Sequence, residues 1–215
     1  MSIDLRFAAL NLSVLISLFC STSHAAIVFN NFGPGDSFLG GGFLLQGPSV
    51  GSIGDVNQAA AFTVGPTGAY LTGIDIGVTA GGPGPSTGPI DIILAADAAG
   101  LPGAALQNMI VNVAMTGQQV ASAGYPGTLL LAPNTTYWVV ADAEGSFDGS
   151  FGWNGIGDNG PTAGQSEGFP WNLHTPGLRF AIRVEGRLVP EPVSSTLLVS
   201  GVAGIALCVR RRSGR

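Results

Sequence analysis

Five carboxylates, Asp142, Glu144, Asp148, Asp158 and Glu167, share a short stretch with Trp153 and Trp171. Glycoside hydrolysis needs two carboxyl groups facing each other across a cleft, one held at raised pKa. The stretch contains the residue types of a glycoside hydrolase, but acids set among glycines are also ordinary solvated turn residues. His174 would have to serve a Ser-His-Asp triad, and no Gly-x-Ser-x-Gly elbow accompanies it. His24 falls in the segment 1–25, and His174 alone falls short of a zinc site. No catalytic residue is expected, and the chain reads as a non-enzyme.

A second group is spaced for an ion. Asp148, Asn154, Asp158 and Asn159 offer hard oxygen ligands of the kind Ca²⁺ takes, in a segment whose glycines expose carbonyls. The spacing departs from the EF-hand loop, because Gly152 stands at position 5 and no Glu at position 12. The alternative is an ion-free loop held by Asx turns. No cofactor is required by the sequence, with Ca²⁺ the one candidate.

The third group is aromatic. Trp153 and Trp171 lie in or near loops, where their rings would stack on the apolar faces of sugars while Asp and Asn meet the hydroxyls. Tyr137 and Trp138, by contrast, stand side by side in Thr136–Ala141, so one of them must point into a core.

These residues must be carried by strands. Ile74, Ile76 and Val78 alternate with Asp75, and Ile90, Ile92 and Leu94 share a face. Ile93 sits opposite them and suggests a second covered side. Further strands are expected at 26–30, 38–46, 58–64, 108–115, 119–123, 128–131, 136–141, 151–156 and 168–174. The segment 97–106 is expected to leave the sheet as a turn, and Gly103–Met109 is too short for a crossover helix. The closing strand, 178–188, directs Leu178, Phe180, Ile182, Val184 and Leu188 inward. Its Arg179, Arg183 and Arg187 face outward, with Asp75 and Asp91 the expected carboxylate partners. The fold class is all-β, an antiparallel two-sheet β-sandwich of jelly-roll type.

Charge narrows the partners. The chain has 215 residues, a net charge of −5 and no lysine. No Arg occurs between Ala26 and Leu178, so a phosphate backbone is repelled and nucleic acid is excluded as a partner. Both cysteines, Cys20 and Cys208, fall outside the central domain, which must be stable without disulfides.

The ends state an address. Residues 1–25 follow the polar, apolar, small-residue order of a signal peptide, with Ser23-x-Ala25 placing cleavage by signal peptidase after Ala25. The exported domain then spans 26–188 and the tail 189–215. The tail opens with Val189-Pro190-Glu191-Pro192, and residues 193–209 carry no charge. As a helix they rise about 25 Å, the short end of a bilayer span. Arg210, Arg211, Arg212 and Arg215 follow as a stop-transfer cluster that stays cytoplasmic, leaving the domain on the far side of the inner membrane.

This order resembles the PEP-CTERM sorting tail of Gram-negative bacterial surface proteins. The resemblance implies cleavage near Pro190-Glu191-Pro192 by an exosortase, a membrane-embedded cysteine protease. It also implies transient anchoring in the bacterial membrane and final residence at the cell surface or in the extracellular matrix, beside exopolysaccharide. Within the domain, Ala60–Val64, Leu71–Gly77, Asp97–Leu106 and Pro133–Val140 resemble the choice-of-anchor family, type R. That likeness covers about residues 43–186 and implies a β-sandwich with no reaction attached. The expected role is structural or adhesive. The alternative is a carbohydrate-binding module contacting exopolysaccharide through Trp153 and Trp171.

Overall fold

A computed structural model describes residues 25–50, 54–82, 84–174, 177 and 179–189. Residues 1–24 of the expected signal segment 1–25, Leu178, the sorting residues Pro190, Glu191 and Pro192, the apolar span 193–209 and the arginine cluster lie outside the described residues. Among the described residues no helix is long and apolar enough to cross a membrane.

The described residues form thirteen strands: β1 (Ala25–Asn30), β2 (Leu39–Gln46), β3 (Val56–Thr63), β4 (Ala69–Ala80), β5 (Ser86–Ala98), β6 (Leu101–Met115), β7 (Gln118–Gly124), β8 (Leu130–Leu131), β9 (Thr136–Ala143), β10 (Asp148–Trp153), β11 (Thr162–Ser166), β12 (Asn172–Leu173) and β13 (Ile182–Leu188). One 3₁₀ turn, Pro34–Asp36, is the only helical element among the described residues. Every ladder is antiparallel. The all-β, antiparallel expectation therefore holds.

Hydrogen bonding runs in one path, β1-β13-β4-β10-β2-β3-β9-β5-β6, and does not break into two separate sheets. On its other edge β4 carries β7 and β8, while β11 extends β3 and β12 extends β11. The path narrows at β2 and β3, which share a single residue pair, Gln46 with Val56. Strands on both sides of that join feed one apolar cluster. Ile74, Ile76, Val78, Ile182 and Val184 come from one side, and Phe62, Ile90, Ile92, Leu94 and Val139 from the other. Removing each such side chain from water contributes about 1.5–3 kcal/mol. The opposite face of β3, β5 and β9 carries a second cluster of Ala59, Ala61, Ala95, Trp138 and Val140, with Ile93 packed against it. The second covered side that Ile93 suggested is present.

Several expectations are corrected. Residues 97–106 do not leave the sheet, because β5 and β6 continue through them as a hairpin. Its turn is only Ala99 and Gly100, both at positive φ (56° and 82°), the requirement of a two-residue type I′ turn. Asp97 Oδ2 accepts the Gly100 N–H at 3.2 Å and closes it. Pro102 is tolerated because β6 is an edge strand needing no second ladder. The strand expected at 151–156 instead starts at Asp148 and ends at Trp153. Of 168–174 only Asn172 and Leu173 are strand, while Thr162–Ser166, outside the expected strands, pairs with β3.

The closing strand begins at Ile182, not at 178. Arg179 is instead tied to the preceding loop, donating its N–H to Asp158 O (3.0 Å) and accepting from Asn154 N–H (2.9 Å). Leu188, expected inward, is exposed because it ends its ladder. Arg183 does meet Asp75, donating from Nε to Oδ2 at 2.7 Å. Arg179 pairs with Asp158 at 3.1 Å, and Arg187 lies over the Tyr70 ring. Among the described residues Asp91 meets no arginine: its β5 neighbours are β6 and β9, so it faces Asn108 and Asp142.

Candidate functional site

The residues singled out for an ion do not converge. Asp148 opens β10 and Asn154 follows its last residue, so the strand places them about 16–20 Å apart. Ligands of one Ca²⁺ lie about 2.5 Å from it. Asn154 is fully buried and all its side-chain capacity is used. Nδ2 donates to Asp158 O (2.6 Å) and Arg179 O (2.8 Å). Oδ1 accepts from the N–H groups of Ile156 (3.2 Å) and Asp158 (2.9 Å). The Asp158 carboxylate is taken by Arg179 and Asn159 is exposed. Asn154 and Asp158 thus build the loop, and no group of three or more His, Cys, Asp or Glu gathers among the described residues.

Among the acids, Asp142 on β9 stands directly opposite Asp91 on β5. Burial pushes the Asp142 carboxyl up to about 7, helped by the charges of Asp55, Glu144 and Asp91. A raised carboxyl is one requirement of a general acid. The pair, however, lies side by side on one sheet face, and neither residue lines the hollows described next.

The indoles are packed. Trp153 stacks on Phe180 (5.1 Å, 15°) and meets Phe43 edge-on. Trp171 is half-buried against the alanine cluster. Trp138 is fully buried and donates Nε1–H to Asp97 Oδ1 at 2.8 Å. None of them offers a bare ring, but Trp153 backs a site the sequence did not reveal.

That site lies beside the narrow β2–β3 join. A hollow of about 430 Å³ is lined by Gln58, Gly164, Gln165, Phe169, Asn172 and His174. A second, of about 380 Å³, meets it at His174 and runs past Leu173 and Pro161. The His174 ring stacks on Phe43 (3.7 Å, 22°), which in turn abuts Trp153 and Phe180. Its main chain is pinned where His174 N–H meets Thr162 O at 2.9 Å. Gly164 makes room for it, since a Cβ there would stand 2.8 Å from His174 Cε1 and 3.0 Å from Gln58 Oε1.

Hydrogen bonding fixes the imidazole's tautomer. Gln58 Nε2 donates to Leu44 O at 2.7 Å, which orients the amide and points Oε1 at His174 Nε2, 2.8 Å away. An amide oxygen only accepts, so Nε2 carries the hydrogen and Nδ1 is left as an acceptor. Burial holds the His174 pKa below its usual value, which keeps the ring neutral at pH 7. Gln165 donates one amide N–H to Phe169 O and Asn172 one to Pro170 O, both within this loop. Each keeps a second N–H and a side-chain oxygen for a ligand.

The sequence carried one signal for this site. Gln58 is a polar residue on the face of β3 that also bears Ala60 and Phe62. A nearly buried amide at such a position needs a partner, and His174 is it. Compared with known protein families and with curated proteins, the chain matches none.

Proposed function

We propose that this chain is an exported cell-surface or extracellular-matrix protein whose β domain acts structurally or as an adhesive, not as a catalyst. The observation that carries the reading is a domain whose two ends meet. Its first and last described strands, β1 and β13, pair with each other, and β13 ends at Leu188, just before the sorting-like tail. A cysteine-free, acidic domain between two such segments suits the outside of a Gram-negative cell. Processing by an exosortase after transient anchoring is part of this reading. A jelly-roll-like two-layer arrangement, the sheet folding over at Gln46 and Val56, is supported by the narrow join and by the apolar cluster fed from both sides. The non-catalytic role is supported by how the expected chemical residues are used. Asn154 and Asp158 each hold the chain to itself.

The test is made in the producing bacterium with a tag placed inside the domain and mass spectrometry of the mature form. The segment after Pro192 is absent when the exosortase is present and retained when it is deleted. Arg210–Arg215 on the mature surface protein would refute the sorting. Sugar release from a polysaccharide by the purified protein would refute the non-catalytic role.

A further inference from the structure

We propose that the hollow beside the β2–β3 join, walled by Gln58, Gln165, Asn172, His174 and Phe169, is a binding site for a neutral polysaccharide. The inference rests on the adhesive reading above and adds a ligand class to it.

Three observations converge. The first is the polar lining. Gln165 and Asn172 are braced by one hydrogen bond each, so their amide planes are set before a ligand arrives, and each still offers a donor and an acceptor. A sugar hydroxyl is likewise donor and acceptor together. His174 Nδ1 adds an acceptor whose direction is fixed by Gln58 and by the stack on Phe43. Pre-set groups lower the entropic cost of binding.

The second is the aromatic wall. Phe169 is 67% exposed at the rim of the hollow, held there by the turn in which its N–H meets Ser166 O. A bare ring among amides offers the apolar surface on which the C–H face of a pyranose rests. The hollow's volume lies within the range of small-ligand sites, and a second hollow continues from it past His174. Two joined hollows suit consecutive units of a chain better than one isolated ring.

The third is charge. No charged side chain lines either hollow. Asp55 and Glu167 line the adjoining smaller one, which shares Gln165 and Ser166 with the site. Their field disfavours uronate and phosphate groups, and the nearest arginine, Arg179, is engaged with Asp158. The ligand is therefore uncharged.

The full chain in mild detergent is titrated with cellohexaose, β-1,3-glucan oligosaccharides and dextran oligosaccharides. Polygalacturonate and a neutral glycine-serine peptide serve as contrasts, and binding is read by calorimetry. At least one neutral glycan binds. Phe169→Ala, and Gln165→Ala with Asn172→Ala, each weaken it about tenfold, as the loss of one or two contacts implies. Ile110→Ser on β6 leaves it unchanged. Thermal unfolding of each variant verifies the fold, and Gln165→Glu, which keeps the shape and adds a charge, serves if Phe169→Ala does not fold. No binding to any neutral glycan, binding unaltered by all of these changes, or preference for polygalacturonate or the peptide would overturn the site. Matrix retention in the bacterium, measured in parallel, separates the claims: retention without glycan binding overturns this site alone.

Discussion

Arg183 on β13 and Asp75 on β4 stand in register, and the guanidinium Nε meets the carboxylate at 2.7 Å. Asp75 is buried against this partner, while Asp36 and Glu185 share the same arginine from more exposed positions. Removing one member of a buried pair strands the other, at a cost of about 3–5 kcal/mol. Arg183→Met is expected to destabilise by about 3 kcal/mol in urea denaturation. Asp36→Ala, losing an exposed contact, changes stability by under about 1 kcal/mol.

The acids around Asp142 set a pH dependence. Asp91 faces it from β5, and the charges of Asp55 and Glu144 act on it as well. Its pKa rises from 3.8 in the unfolded chain to about 7 in the fold. A raised pKa means that the protonated form favours folding. The contribution is complete below the unfolded value and is lost as pH climbs through the folded one. Asp142→Asn is expected to remove this decline, so that its thermal midpoint exceeds the parent's at pH 8 and matches it near pH 4. Identical pH profiles for the two proteins would contradict the assignment.

Asn154 holds the loop between β10 and β11 with four hydrogen bonds. At about 1 kcal/mol each, with partial replacement by water, Asn154→Ala costs about 2–3 kcal/mol. Because these same atoms were candidate Ca²⁺ ligands, a further outcome follows. Adding calcium or a chelator leaves the melting temperature unchanged, and a rise of several degrees with calcium would restore the ion.

Gly42 sits at φ 133° in β2, and a Cβ there would overlap the carbonyl oxygen of Phe151 on β10. Both the backbone conformation and the approach require glycine. Gly42→Ala is expected to cost about 3 kcal/mol or more, measured by chemical denaturation. Gly35→Ala, also at positive φ but with open space around it, costs about 1 kcal/mol.

The inward faces of β4 and β5 were legible because alternation is a local property: Ile74, Ile76, Val78, Ile90, Ile92 and Leu94 are all fully buried. The Arg183–Asp75 pair was also within reach, since both residues occupy outward positions. Asp91 was misassigned because strand order is not written locally, and β5 has β9 and β6 beside it. Proline and two glycines made 97–106 look like a departure from the sheet, yet Gly100 forms the hairpin turn and the edge strand β6 accommodates Pro102 and Gly103. The hollow at the join was the least legible element. Its walls come from β3, β11 and the segment Phe169–His174 around β12, more than a hundred residues apart at Gln58 and His174. Only the misplaced polarity of Gln58 hinted at it.

Within the sheet β1 has one neighbour, β13. Asn31, just past β1, extends that pairing, donating to Phe180 O at 2.9 Å and accepting from Ile182 N–H at 2.8 Å. β13 is also the strand that lies between β1 and β4. Of the described strands, the first to be synthesised is thus the last to gain a partner. However early the interior strands assemble, the sheet stays open on that side until Leu188 has emerged. Closure of the domain is timed by the arrival of its own final strand.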